Sequence, residues 1–189
     1  IFMPKRTITD AQNENNYFAT NLWLFDDKFM TYTHALSDVN FKHIVETIFA
    51  NSSMAANDIG MDLKKPDLAI FYNKDISRDA LIVEFKGANA PLGEKEKAIG
   101  EIGRNCLLIK EKIPEINTIW AYIVTHIDHE FEVSLRGNGY KPRFTNADDG
   151  KIMYFYNDSV PAHIYALDLS AITSDAFARN KTFLDILKK

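Results

Sequence analysis

Two apolar runs constrain this chain more than anything else in it. PDLAIFY fills positions 66–72 and ALIVEFKG positions 80–87, and the link between them, NKDISRD, is polar. Runs of this length, rich in Ile, Val, Leu and Phe and joined by a short polar link, form neighbouring strands of a hairpin. Pro66 stands at the strand entry, where its missing N–H removes no needed ladder bond. The second run carries an anomaly: Glu84 and Lys86 sit two apart in a segment otherwise fit for burial. Residues i and i+2 of a strand share a face, about 6–7 Å apart. The two charges therefore stand side by side, with Leu81, Val83 and Phe85 on the other face. Asp67 opens the first strand, so pairing of the two runs carries it toward Glu84.

Two carboxylates in one spot repel each other, and a divalent cation relieves that repulsion. Mg²⁺ takes hard oxygen ligands, commonly one or two carboxylates, and keeps its remaining positions for water and phosphate. A lysine beside such a pair supplies a movable positive charge that can orient water or meet charge developing on a phosphate. Asp67 and Glu84 are thus the candidate metal ligands, with the Phe85 carbonyl as a further one and Lys86 as the catalytic cation.

The rest of the chain reads as alternating helices and strands. TDAQNENNYFATNLWLF, 9–25, reads as a helix capped by Thr9 or Asp10, and DVNFKHIVETIFA, 38–50, as a second. GANAPLG, 87–93, is a loop, and EKEKAIGEIGRNCLLIKEKI, 94–113, a long helix that Gly100 and Gly103 weaken. TIWAYIVTHI, 118–127, is β-branched and aromatic, so it reads as a core strand reached by a crossover from the preceding one. RGNGYKP, 136–142, is a basic turn; KIMYFYN and AHIYALDL are two further strands; SAITSDAFARNKTFLDILKK is a closing helix capped by Ser170. The expectation is one α/β domain over 1–189, a central mixed sheet flanked by helices.

Composition excludes some functions. At net charge −4 the chain has no global attraction for nucleic acid, so DNA binding needs a local basic patch. Lys95, Lys97 and Arg104 are expected near the cleft entrance, with Arg136, Lys141 and Arg143 as a second patch. No apolar run approaches the roughly 20 residues of a membrane span. The opening IFMPKRTITD does not read as a secretory signal, and the single cysteine, Cys106, fits a reducing compartment, so a cytoplasmic location is expected. The Ile1 start suggests a piece of a longer polypeptide.

Pro66-Asp67 followed by Glu84-Phe85-Lys86, in the order helix, hairpin, helix, strand, resembles the PD-(D/E)xK nuclease superfamily. That resemblance implies a restriction-endonuclease-like fold and Mg²⁺- or Mn²⁺-dependent hydrolysis of DNA. It also implies an additional acid on the first helix, for which Glu14 is the candidate. NLWLFDDKF at 21–29, KPDLAIF at 65–71, LIVEFKG and ARNKTFLDIL at 178–187 are similar to the nuclease-like C-terminal domains of bacterial GHKL (histidine-kinase/Hsp90-type) ATPase proteins. This second resemblance implies an N-terminal ATPase in the same polypeptide and a role in DNA processing or antiphage defence. One departure stands out. Where relatives carry a glutamine and tyrosine pattern after E-x-K, this helix has Lys97, Glu101 and Arg104.

Three readings compete with catalysis. Asp67, Glu84 and Lys86 could form a surface ion-pair cluster of little energetic weight. The domain could bind DNA without cutting it, or serve as a protein-interaction or homodimerisation domain. His126, Asp128 and His129 read as turn residues rather than metal ligands, Cys106 as a buried thiol, and Tyr154, Phe155 and Tyr156 as sheet packing rather than a base-stacking platform.

Overall fold

The structure, a computed structural model, describes residues 7–10, 34–38, 66–74 and 77–188. Its strands are β1 (Thr7–Asp10), β2 (His34–Ser37), β3 (Leu68–Lys74), β4 (Ser77–Phe85), β5 (Thr118–Val124), β6 (Lys141–Arg143), β7 (Ile152–Asn157) and β8 (Ala162–Leu167). Helix α1 (Leu92–Lys112) joins β4 to β5, α2 (His129–Gly137) follows β5, and α3 (Leu169–Leu187) follows β8. The strands form one sheet in the order β1-β2-β3-β4-β5-β8-β7-β6. Strands β1 to β4 pair antiparallel, β4, β5 and β8 run parallel, and β8, β7 and β6 are again antiparallel. This is an α/β fold with a mixed sheet, as the sequence pattern predicts.

The pleat divides the sheet into two faces. Ala69, Phe71, Ala80 and Ile82 face one side, where Ala98, Ile102, Cys106 and Ile109 of α1 and Phe131 and Leu135 of α2 complete a core. Leu68, Ile70, Leu81 and Val83 face the other, with Tyr122, Val124, Leu167 and Ile172 of α3. Burial pushes the Cys106 thiol up to about 12, so it packs as an inert apolar group. No helix among the described residues is long and apolar enough to cross a membrane.

Four expectations need correction. Residues 9 and 10 pair with β2 as the end of β1, so Thr9 opens no helix. Asp38 takes a φ of 54°, so it does not start a second helix. The remainder of both expected helices lies outside the described residues. The β3–β4 hairpin pairs out to Lys74 and Ser77, so part of the expected polar turn is strand; ladder bonds involve only backbone and continue through polar positions. Helix α2 went unread. Its signal was Asp128, whose carboxylate caps the Phe131 N–H, followed by Phe131 and Leu135 at helical spacing. The cap of α3 is Asp168, which accepts from the Ser170 N–H, and not Ser170 itself. The turn after α2 does fall where expected, with Gly139 at φ 85°.

Candidate active site

The strand register brings the first two site residues together. Leu68 pairs with Val83, so Asp67, one step outside β3, stands opposite Glu84. By the same alternation Asp67 follows Ala69 and Phe71, and Glu84 follows Ala80 and Ile82, onto the face that α1 covers. Asp67 is held at both ends. Its carbonyl accepts from the Asp38 N–H at 3.1 Å and from the Ser37 hydroxyl at 3.2 Å. Its Oδ2 accepts the Phe85 N–H at 2.7 Å. The Glu84–Phe85 peptide is thereby bound to Asp67 through the Phe85 N–H.

Lys86 follows β4 and its own N–H donates to the Val124 carbonyl at 2.9 Å. Its Nζ lies 2.9 Å from Glu84 Oε1 and 3.2 Å from Glu101 Oε2. Glu101 is the residue that sequence reasoning missed as a site member. It comes from α1, where it sits in the buried stripe with Ala98 and Ile102. An acid inside that apolar stripe is the available signal.

Two carboxylates thus share one ammonium, and that of Asp67 lies close enough to Glu84 to repel it. Burial, opposed by the Lys86 hydrogen bond but reinforced by the charges of Asp67 and Glu101, raises Glu84 to about 7. Burial pulls Lys86 down, but its bonds to Glu84 and Glu101 outweigh this and hold it above the usual lysine value. These bonds favour the charged form of Lys86. Its role is to place positive charge. The donor chemistry suits a hard divalent cation: two adjacent carboxylates, with Asp67 Oδ1 and Glu84 Oε2 accepting no hydrogen bond among the described residues. Among those residues, no three His, Cys, Asp or Glu side chains form a preassembled metal cage, so such an ion would rely on water or phosphate for its other ligands.

The remaining candidates separate. Lys97 and Arg104 are exposed on α1, one turn before and one turn after Glu101, so they flank the carboxylate cluster. Lys95 does not join them. It is 1% exposed, and its ammonium is taken up by Asp128 Oδ2 and, at 2.9 Å, by the His126 carbonyl. It sits on the inner stripe of α1, so it has no charge to offer a duplex. Arg136 is exposed but bound to Glu132 at 2.7 Å. Lys141 and Arg143 are exposed on β6, and the Arg143 guanidinium lies 4.4 Å from the Tyr154 ring centre. Glu14 lies outside the described residues.

His126 and Asp128 hold the C-terminal end of β5 rather than a metal. Buried Asp168 binds the Ile127 N–H and His126 Nδ1, each at 3.0 Å, and the Ser170 hydroxyl. Burial alone would raise Asp168, but these hydrogen bonds hold it below the usual aspartate value.

No family model matches the chain, and no solved structure matches it. A stretch of 112 residues, 59% of the chain, is similar to probable 2,3-bisphosphoglycerate-independent phosphoglycerate mutases from two strains of Thermus thermophilus, at 25% and 24% identity. The chain spans about a quarter (25%) of the length of those relatives.

Proposed function

We propose that this domain is a Mg²⁺-dependent DNA endonuclease of the PD-(D/E)xK kind. The observation that carries the reading is the Lys86 ammonium, held between Glu84 and Glu101 beside an Asp67 carboxylate fixed on the Phe85 N–H. Asp67 and Glu84 would hold the ion. When bound, it supplies Lewis acidity toward a phosphoryl oxygen and lowers the pKa of a coordinated water. Asp67 is preoriented for its part by the Phe85 N–H, which fixes Oδ2 and leaves Oδ1 for the ion. Glu84 gives up its proton to enter the ligand set, which makes metal affinity rise with pH through about 7. Lys86 offsets charge developing on the scissile phosphate, and Glu101 keeps its ammonium from collapsing wholly onto Glu84. Lys97 and Arg104 would track the backbone of the duplex on either side. The resemblance to GHKL-associated domains makes an ATPase of the same polypeptide the expected regulator, in DNA processing or antiphage defence.

A second reading has its own observation. Lys86 is already engaged by two carboxylates, which also suits a domain that binds DNA without cutting it. One assay separates the two. Purified protein is incubated with plasmid and linear DNA, with and without Mg²⁺ or Mn²⁺. Cleavage that needs the metal, and that Asp67→Ala or Glu84→Ala lowers by roughly 100-fold or more, supports the nuclease. Metal-independent binding with no cleavage by the full-length protein supports the binding module.

A further inference from the structure

The half of the sheet away from the hairpin carries an unusual set of side chains. Strands β5, β8, β7 and β6 read TIWAYIV, AHIYAL, IMYFYN and KPR. Their only formal charges are Lys141 and Arg143, both cations. The register lines up two rows of rings on the face opposite the carboxylate cluster. Trp120, His163 and Tyr156 pair across β5, β8 and β7 in one row; Tyr122, Tyr165 and Tyr154 form the next, which Lys141 extends on β6. Arg143 follows on the same face, beside Ile152.

The rows are real contacts. Trp120 stacks on His163 with centroids 4.5 Å apart, and Tyr122 on Tyr165 at 5.3 Å. Tyr154 contacts Tyr165 at 4.9 Å, and Tyr156 contacts His163 at 4.9 Å. The Tyr154 hydroxyl and His163 Nδ1 lie 2.9 Å apart, which fixes both rings. The YFY run is therefore divided: Phe155 turns to the other face against Tyr140, while Tyr154 and Tyr156 stay in the rows. Ordinary packing explains the inner rings. It does not explain why the outermost, Tyr156, is 41% exposed, or why Tyr154 is capped by a guanidinium whose charge remains at the surface.

We infer that this face is a binding platform for single-stranded nucleic acid. Bases stack on any aromatic face whatever their sequence, and phosphates need cations beside them. Tyr156 offers one such exposed face, and the Arg143 guanidinium lying over the Tyr154 ring presents a second flat, cationic one beside it. Arg143 and Lys141, on the adjacent edge strand, stand where the sugar–phosphate chain would pass. The charge decides between occupants. A sugar-binding aromatic platform needs no cations, and an acidic rim would suit a basic peptide; here the strands supply two cations and no carboxylate. The inference concerns binding on the face opposite Asp67 and Glu84, so it stands or falls separately from cleavage.

The test is fluorescence anisotropy of a labelled oligothymidylate with the full chain, without divalent metal. The wild type is expected to bind, more weakly as salt rises. Tyr156→Ala and Arg143→Ala each weaken binding about tenfold. Tyr156→Phe binds like the wild type, because the ring and not the hydroxyl is used. Both positions are exposed, so the variants are expected to fold, and circular dichroism checks this. Absence of binding at low salt, equal binding by Tyr156→Ala, or preference for a neutral oligosaccharide over the oligothymidylate would overturn the inference.

Discussion

Lys86 and Lys95 lie nine positions apart, and each makes two polar contacts beneath α1, yet they sit in opposite electrostatic situations. Lys95 is fully buried and matched by one carboxylate, Asp128, and one carbonyl. Its partner is also an N-cap, so the pair ties α1 to α2. Lys86 is half-buried and shared between Glu84 and Glu101, with Asp67 adding a third negative charge nearby. The first cluster is balanced and its groups are satisfied. The second carries more negative groups than positive ones, and burial first, with that excess adding to it, raises Glu84 to about 7. A balanced buried pair holds structure together. An unbalanced one keeps a repulsion that a further cation would relieve.

The largest effect separating the clusters should come from breaking the balanced one. Asp128→Ala leaves the Lys95 ammonium buried without its counter-charge, and unfolding free energy measured in urea should fall by about 3–5 kcal/mol. Lys95→Met should cost less, since the Asp128 carboxylate it leaves behind is half-exposed and still caps α2. Equal losses for the two variants would show that the pair is not asymmetrically buried.

The overcharged cluster should respond with the opposite sign. In metal-free protein the folded state holds a proton on Glu84 up to about pH 7, while the unfolded chain releases it near the ordinary value of 4.5. Between those values the native state binds more protons, so this group's contribution makes stability fall as pH rises from about 4.5 to 7. Glu84→Gln should remove that decline and leave the variant more stable than the wild type above pH 7, by roughly 1–2 kcal/mol. Thermal unfolding at several pH values without metal reads both outcomes. A variant less stable at every pH would mean that the Glu84–Lys86 pair is net favourable, and would place this cluster with the first.

The smallest effect refines the ranking within the cluster. Asp67 repels Glu84 more than Glu101 does, so Asp67→Asn should lower the Glu84 titration midpoint below about 7, and Glu101→Gln should lower it less. Carboxyl ¹³C NMR of metal-free protein measures both. The reverse order would assign the main repulsion to the helix rather than to the neighbouring strand.

What the sequence determined about this protein is what short-range geometry dictates. The pleat puts Glu84 and Lys86 on one face whatever surrounds them, and the hairpin brings Asp67 opposite Glu84 once the two apolar runs pair. The mixed sheet, α1 and α3 were legible for the same reason, since periodicity and turn chemistry are local signals. The tertiary structure decided what depends on partners far along the chain. Lys95 looked like Lys97, a charged residue near a helix start, but its depth is set by Asp128, which arrives 33 residues later. Glu101 became part of the site because α1 crosses the sheet with its Ala98 and Ile102 stripe inward, an orientation fixed by the core beneath it. The pleat alone separates Tyr154 and Tyr156 from Phe155, but only the pairing of β7 with β8 decides that Phe155 meets Tyr140 and the other two join the rows of rings. A helix period tells which residues share a stripe. It carries no information about which distant charge that stripe will meet, because that contact is made only when the elements pack.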